Sequence, residues 1–125
     1  MVAATGLNRR LICASEELVD GGRGLRFTVD RNGLGEAAFA VRFRGRVHAY
    51  LNRCAHLPVE IDWQQGEFFD HSGLYLICAT HGALYAPESG SCLGGRCNGK
   101  GLVAVSVIEH DGWVSLIEEG SESVG

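Results

Sequence analysis

The sequence predicts an all-β chain, and three observations carry that expectation. Apolar and polar residues alternate over several stretches, the period of a half-buried strand. Eighteen glycines and ten aromatics (two Trp, three Tyr and five Phe) in 125 residues favour strands and tight turns. Few stretches offer the 3.6-residue apolar period of an amphipathic helix.

The elements follow in order. "RLICAS" (10–15) predicts a first strand. "GLRFTVD" (24–30) predicts a second, with Leu25, Phe27 and Val29 alternating with polar residues. "AAFAVRFRGRVHAYLN" (37–52) predicts a hairpin. In it Phe39, Val41 and Phe43 alternate inward, "RGR" turns, and Val47, Ala49 and Leu51 return. "GLYLICAT" (73–80) predicts a further strand, and "PESGSCLGGRCNGKG" (87–101) a glycine-rich loop. "LVAVSVIEHDGWVSLIE" (102–118) predicts a second hairpin with "HDG" at its turn. "GSESVG" (120–125) predicts a frayed tail.

Length and charge narrow the function. A chain of 125 residues fits one domain with one modest core. A formal charge of −4 gives no basic footprint for nucleic acid. No apolar run approaches the roughly 20 residues of a membrane span. "LNRRLICASEEL" contains an arginine pair, but charged residues follow within a few positions, so neither an apolar signal segment nor a twin-arginine export signal is expected. The expected location is the cytoplasm, without a membrane partner.

Five cysteines are an odd count, and a reducing cytosol disfavours a disulfide framework. Clustered Cys and His in such a compartment read as metal ligands. Two knots stand out: "NRCAHLPVEIDW" (52–63) with Cys54 and His56, and "LICATHGALY" (76–85) with Cys78 and His81. Both sit where predicted strands end, the usual place for a rigid sheet to present ligands. A tetrahedral zinc site of two Cys and two His usually takes both Cys from one knot and both His from the other. Here each knot carries one of each. In a Rieske [2Fe–2S] centre two His replace two Cys on one of the irons, so matched loops giving one Cys and one His each can clamp the cluster from both sides.

The paired motifs Cys54-Ala-His56 and Cys78-Ala-Thr-His81-Gly82 resemble the C-x-H and C-x-x-H-G motifs of the Rieske iron–sulfur family. "AYLNRCAH" resembles the family's approach strand. "GLYLICATHGALYAPESGSC" resembles its second ligand strand and the turn after it, "ESG" included. The resemblance covers roughly residues 10 to 118. The 21 residues from His56 to Cys78 are long for the family, which implies an enlarged loop, "LPVEIDWQQGEFFDHSG".

What the resemblance implies is specific. The fold would be a Rieske fold over residues 1–125: a small sandwich or barrel-like antiparallel framework (1 to about 52 and about 97 to 125) with a cluster-binding portion at about 53–96. Cys54, His56, Cys78 and His81 would bind one [2Fe–2S] cluster, cysteines on one iron and histidines on the other. The histidine edge would lie near the surface, the reduced state holding its electron on the histidine-ligated iron. The protein would have no catalytic residues. It would carry single electrons between a reductase and a terminal oxidoreductase such as an oxygenase, as a soluble Rieske-type ferredoxin. The alternatives are a small-subunit-like component of a nitrite reductase and, from another class, a zinc-stapled interaction module without redox role.

Departures from the family sharpen the reading. Rieske proteins of the cytochrome bc complexes join their ligand loops by a disulfide, and the matching positions here are Val59 and Thr80. High-potential members have a serine and a tyrosine after the second loop; here Ala83 stands for the serine and Tyr85 for the tyrosine. With one hydroxyl lost, the potential is expected in the lower half of the family's span of about −150 to +300 mV.

The remaining residues take plainer readings. Cys13 is expected as strand packing, and His48, His71 and His110 as ordinary residues. Cys92 and Cys97 could pair or stay free; the compartment favours free thiols. Trp63 and Trp113 are expected to pack rather than conduct electrons. "LGGRCNGKG" lacks the strand–loop–helix context of a phosphate cradle.

Overall fold

The computed structural model describes residues 7–31, 33–54, 59–62, 64–78, 82–95 and 100–119. Among them the chain is nearly all β, with one 3-10 turn at Ser15–Glu17. β1 (Leu7–Ala14), β8 (Val107–His110) and β9 (Trp113–Glu119) form one antiparallel sheet in the order β1-β9-β8. β2 (Leu25–Arg31), β3 (Leu34–Phe43) and β4 (Arg46–Leu51) form a second in chain order. β5 (Leu76–Ile77), β6 (Leu84–Tyr85) and β7 (Cys92–Gly94) form a small third. No helix among the described residues is long and apolar enough to cross a membrane.

Both predicted hairpins form, and each closes on two residues with positive φ. Arg44 and Gly45 sit at φ 52° and 83°, Asp111 and Gly112 at 53° and 83°. That pair of left-handed residues is the tight turn whose twist matches the strands it joins. The Asp20 carboxylate accepts from the backbone N–H of Arg44 (2.8 Å) and of Gly45 (2.7 Å), which secures the first turn.

The middle sheet organises the packing. Ala38 pairs with Leu51, Phe39 with Tyr50 and Ala40 with Ala49. Successive side chains alternate faces. Ala38, Ala40, Ala49 and Leu51 therefore face the first sheet, where Cys13, Val114 and Leu116 are buried with them. Phe39, Val41 and Tyr50 face the other way, into a core with Ile61, Phe68, Leu76 and Tyr85. The two inward triplets of the sequence thus lie on opposite faces, and both are inward because this sheet is covered on both sides. Phe39 and Phe68 stack with ring centroids 4.0 Å apart and planes 10° apart.

Two predicted strands are shorter than expected. In "GLYLICAT" only Leu76 and Ile77 are strand. The residues before them belong to a turn, with Asp70 N–H bonded to the Tyr75 carbonyl at 2.9 Å. Residues 102–106 are not a β8 extension. They run beside β4, through Leu51 N–H to the Val103 carbonyl and Val105 N–H to the Ala49 carbonyl, both 2.9 Å. The Ile117 N–H then bonds the Ser106 carbonyl, so the segment passes from the middle sheet to the first. β6 and β7, conversely, lie in segments not expected to be strand. The tail at 120–125 lies outside the described residues.

Arg42 on β3 ties the two larger sheets together. Its Nε donates to the Leu18 carbonyl (2.8 Å), Nη1 to the Gly45 carbonyl (3.0 Å) and Nη2 to the Ser15 carbonyl (3.1 Å). Nη1 and Nη2 also grip the Glu109 carboxylate of β8 at 3.1 and 2.6 Å. That uses all the donors a guanidinium has.

Arg42→Met should lower the unfolding free energy by roughly 2–3 kcal/mol in a urea titration. The hydrogen bonds from Arg42 also hold the Glu109 carboxyl below its ordinary range. A depressed carboxyl stabilises the fold above its unfolded pKa of about 4.3, and that contribution disappears as pH falls through the lower folded value. Stability measured from about pH 5 downward should therefore fall more steeply in the wild type than in Glu109→Gln. Parallel curves would show that the pair does not contribute.

Candidate metal centre

The two cysteines of the knots arrive at one place. Cys54 follows β4 by three residues and Cys78 follows β5 directly. They are 3% and 0% exposed and belong to the same buried cluster as Phe39, Tyr50, Ile61, Phe68 and Tyr85. Neither is in a disulfide.

The loops that carry them close alike. The Cys54 N–H donates to the Val59 carbonyl at 2.7 Å, and the Cys78 N–H to the Ala83 carbonyl at 2.9 Å. In each case a cysteine amide bonds the carbonyl five residues on, bracketing the histidine of its knot. His56 and His81 themselves lie outside the described residues. The second loop closes once more, with Gly82 N–H on the Cys78 carbonyl at 2.7 Å. Gly82 has φ 72°, where a side chain would be strained.

The groups near the second loop are placed by the small third sheet. Leu76 pairs with Tyr85 and Ile77 with Leu84, so β5 and β6 flank the loop on entry and exit. Tyr85 is fully buried, with its hydroxyl 3.7 Å from Cys54 Sγ, within hydrogen-bond reach of sulfur. The tyrosine after the second loop thus reaches the first cysteine. Ala83 is also fully buried. Gly95, at φ 86°, lies so close over it that a Cβ there would stand 2.7 Å from the Ala83 Cα.

Beside the first loop lies a buried polar group that the sequence did not single out. Asn52 and Asp62 are 3% and 6% exposed. Asn52 Nδ2 donates to Asp62 Oδ1 at 2.9 Å, and Ile61 N–H donates to Asn52 Oδ1 at 2.9 Å. Gly66 N–H reaches Asp62 Oδ2 at 3.0 Å, and Arg26 Nε of β2 lies 3.5 Å from the same oxygen. A buried carboxylate in a long loop has no local pattern, so only the register of β4 and β2 reveals it.

The other candidates separate from the centre. Cys13 is buried in the opposite core, where burial, above all, raises its thiol pKa. His48 is half-buried on β4 and its pKa is lowered, mainly by desolvation. His71 is exposed, and exposed His110 sits 3.1 Å from Asp111. Trp113 is 50% exposed, so the packing expected of it is only partial. Trp63, Thr80 and Cys97 lie outside the described residues. Cys92 is disulfide-bonded, which corrects the free thiol expected from the compartment. That expectation carried no geometry, whereas β7 holds Cys92 half-buried against the ligand core.

Two matched loops, each bringing a buried thiol to one apolar core with a phenol beside it, define a cluster-binding β-fold. The chain belongs to the Rieske [2Fe-2S] domain family, which matches residues 8–110. Its cofactor is one cluster of that type. The residues fit it: both thiols are buried in one core and outside any disulfide, and thiolates suit iron–sulfur centres. Among the described residues no three Cys, His, Asp or Glu side chains converge, His56 and His81 not being among them.

Solved structures agree on the fold. The ferredoxin of carbazole 1,9a-dioxygenase from Nocardioides aromaticivorans IC177 aligns over 87% of this chain and 96% of its own, at 18% identity and TM-score 0.66. The Sphingomonas yanoikuyae B1 ferredoxin aligns over 89% and 99%, at 20% identity and TM-score 0.67. A complex of reduced oxygenase and oxidized ferredoxin in carbazole 1,9a-dioxygenase contains a chain aligned over 90% and 94%, at 20% identity and TM-score 0.68. No curated protein matches.

Proposed function

We propose that this protein is a one-electron carrier, a Rieske-type ferredoxin working between a reductase and a terminal oxidoreductase such as an oxygenase. The observation that carries it is the pair of loops closed by the same cysteine-amide bond around one buried core. Fold similarity supports it: the matched ferredoxins align over 96% and 99% of their own length. In the proposal residues 1–125 are one domain with its cluster-binding portion at about 53–96, and Cys54, His56, Cys78 and His81 are the ligands. The chain has no catalytic residue of its own and works in the cytoplasm.

When bound, the cluster supplies a site that takes up and releases a single electron. The chain's residues supply the rest. Burial of Cys54 and Cys78 keeps water from the sulfurs. With Cys54 held as a thiolate, the Tyr85 hydroxyl 3.7 Å away would donate to its Sγ and favour the more negative, reduced state. Ala83 brings no second hydroxyl. A second reading has one observation behind it: other matches span 87% of this chain but only 28% of a longer chain in an oxygenase–ferredoxin complex. The same fold therefore also occurs as one part of a longer chain, the setting of a dedicated component of one oxidoreductase rather than of a shuttle.

Purified protein should contain two irons and two labile sulfides per chain, and Cys54→Ala or Cys78→Ala should abolish its red-brown colour. Stoichiometric zinc in fresh native protein, without iron, would instead support the interaction module.

Tyr85→Phe should lower the midpoint potential by about 40 mV, the one-electron equivalent of a net hydrogen bond of about 1 kcal/mol. Ala83→Ser should raise it by a similar amount. Dye-mediated titration checks both, and unshifted potentials would place the control elsewhere.

A further inference from the structure

The two ligand loops share their inner closure but not their outer support. The second loop leaves from β5 and returns on β6, so antiparallel pairing of Leu76 with Tyr85 and Ile77 with Leu84 fixes both its ends. The first loop leaves from β4, but residues 59–62, on its return, are not strand. Something else must set where that return lies. Asn52 and Asp62, the buried polar and charged residues among those described, stand at this point.

We propose that Asn52 and Asp62 are positioning residues for the first ligand loop, replacing with side-chain hydrogen bonds the strand pairing that holds the second. This rests on the electron-carrier reading above. Asn52 lies two residues before Cys54, and its own N–H is bonded into the middle sheet at the Ala37 carbonyl, 2.9 Å. Its amide reaches across the loop in both senses, accepting from Ile61 N–H and donating to Asp62, each at 2.9 Å. Those two bonds form an outer ring around the Cys54–Val59 closure. Asp62 then hands the return segment to Gly66 N–H at 3.0 Å and to Arg26 of β2 at 3.5 Å. Arg26 also holds Glu60 at 2.6 Å. Burying a carboxylate is costly, and an apolar residue would fill the volume with less desolvation. An apolar residue would leave the Ile61 and Gly66 amides unpaired and would not fix the register of the return against β4.

The test uses the holoprotein, with hydrogen exchange read by mass spectrometry on segment 52–62 and, as internal reference, segment 76–85. Cluster loss to an iron chelator and the EPR spectrum of the reduced protein are followed in parallel. Asn52→Ala should speed exchange in 52–62 and cluster loss by roughly tenfold each, the effect of about 1.4 kcal/mol. It should broaden the EPR lines while leaving 76–85 as in the wild type. Asp62→Asn retains an acceptor for Asn52 and should give a smaller change of the same kind. Arg42→Met, which weakens the frame elsewhere, should not single out 52–62. Equal acceleration in both segments, or wild-type exchange in Asn52→Ala, would overturn the proposal. So would failure of both loop variants to fold, since a positioning pair leaves the frame intact. Two irons in the wild type with unaltered variants would remove the clamp and keep the carrier; no iron in the wild type would remove the carrier itself.

Discussion

The structure depends on one sheet being buried on both faces. β3 alternates small and large side chains: Ala38 and Ala40 toward the first sheet, Phe39 and Val41 toward the ligand loops. A strand covered on one side only would expose one of these sets to water. Here the small set lets the first sheet approach closely, and the large set builds a floor under the cysteines. Buried sheets of this kind transmit position well, because interiors pack as densely as organic crystals and do not yield to small displacements. The frame therefore decides where β4 ends, and the end of β4 decides where Cys54 stands.

From that floor the two loops reach the same local geometry by different means. Each cysteine amide bonds the carbonyl five residues on. The second loop inherits its ends from a pair of short strands, and the chain after β7 covers it closely enough that Gly95 leaves no room for a side chain. The first loop opens into the long connection toward β5, which is anchored by Phe68 stacked on Phe39 and by the buried Asn52–Asp62 pair. An enlarged connection is tolerable because loop closure costs little extra entropy with length, provided its ends are held. The polar pair and the aromatic stack hold them.

Much of this was legible in the sequence, for identifiable reasons. The hairpins at 37–52 and 102–118 announce themselves by period-two alternation around turn residues that tolerate positive φ, and both turns form where expected. The mixed Cys/His knots pointed to a cluster because metal chemistry dictates donor types and spacing, not merely burial. Less was legible where tertiary context decides. That Phe39 and Ala40 both face cores cannot be read from alternation, which assumes one wet face. Residues 102–106 carry strand-like alternation, yet they switch partners from β4 to β9. Two-residue strands such as β6 are too short for any period to show. Whether Cys92 is oxidised turns on what the fold brings to it, and the compartment says nothing of that.

The position of Tyr85 shows why these levels must be read together. In sequence it is an aromatic after the second knot, and nothing there decides which of the two cysteines it meets. The pairing of β5 with β6 turns it into the core, and its hydroxyl emerges beside Cys54 of the first loop, 3.7 Å away. Its hydroxyl therefore links the strand that carries one ligand loop to the sulfur of the other. A shift of either loop would change that distance, and with it the hydrogen bond proposed to favour the reduced state. In the proposed carrier, potential and loop geometry are coupled through this buried phenol, which gives the frame's rigidity an electrochemical consequence as well as a structural one.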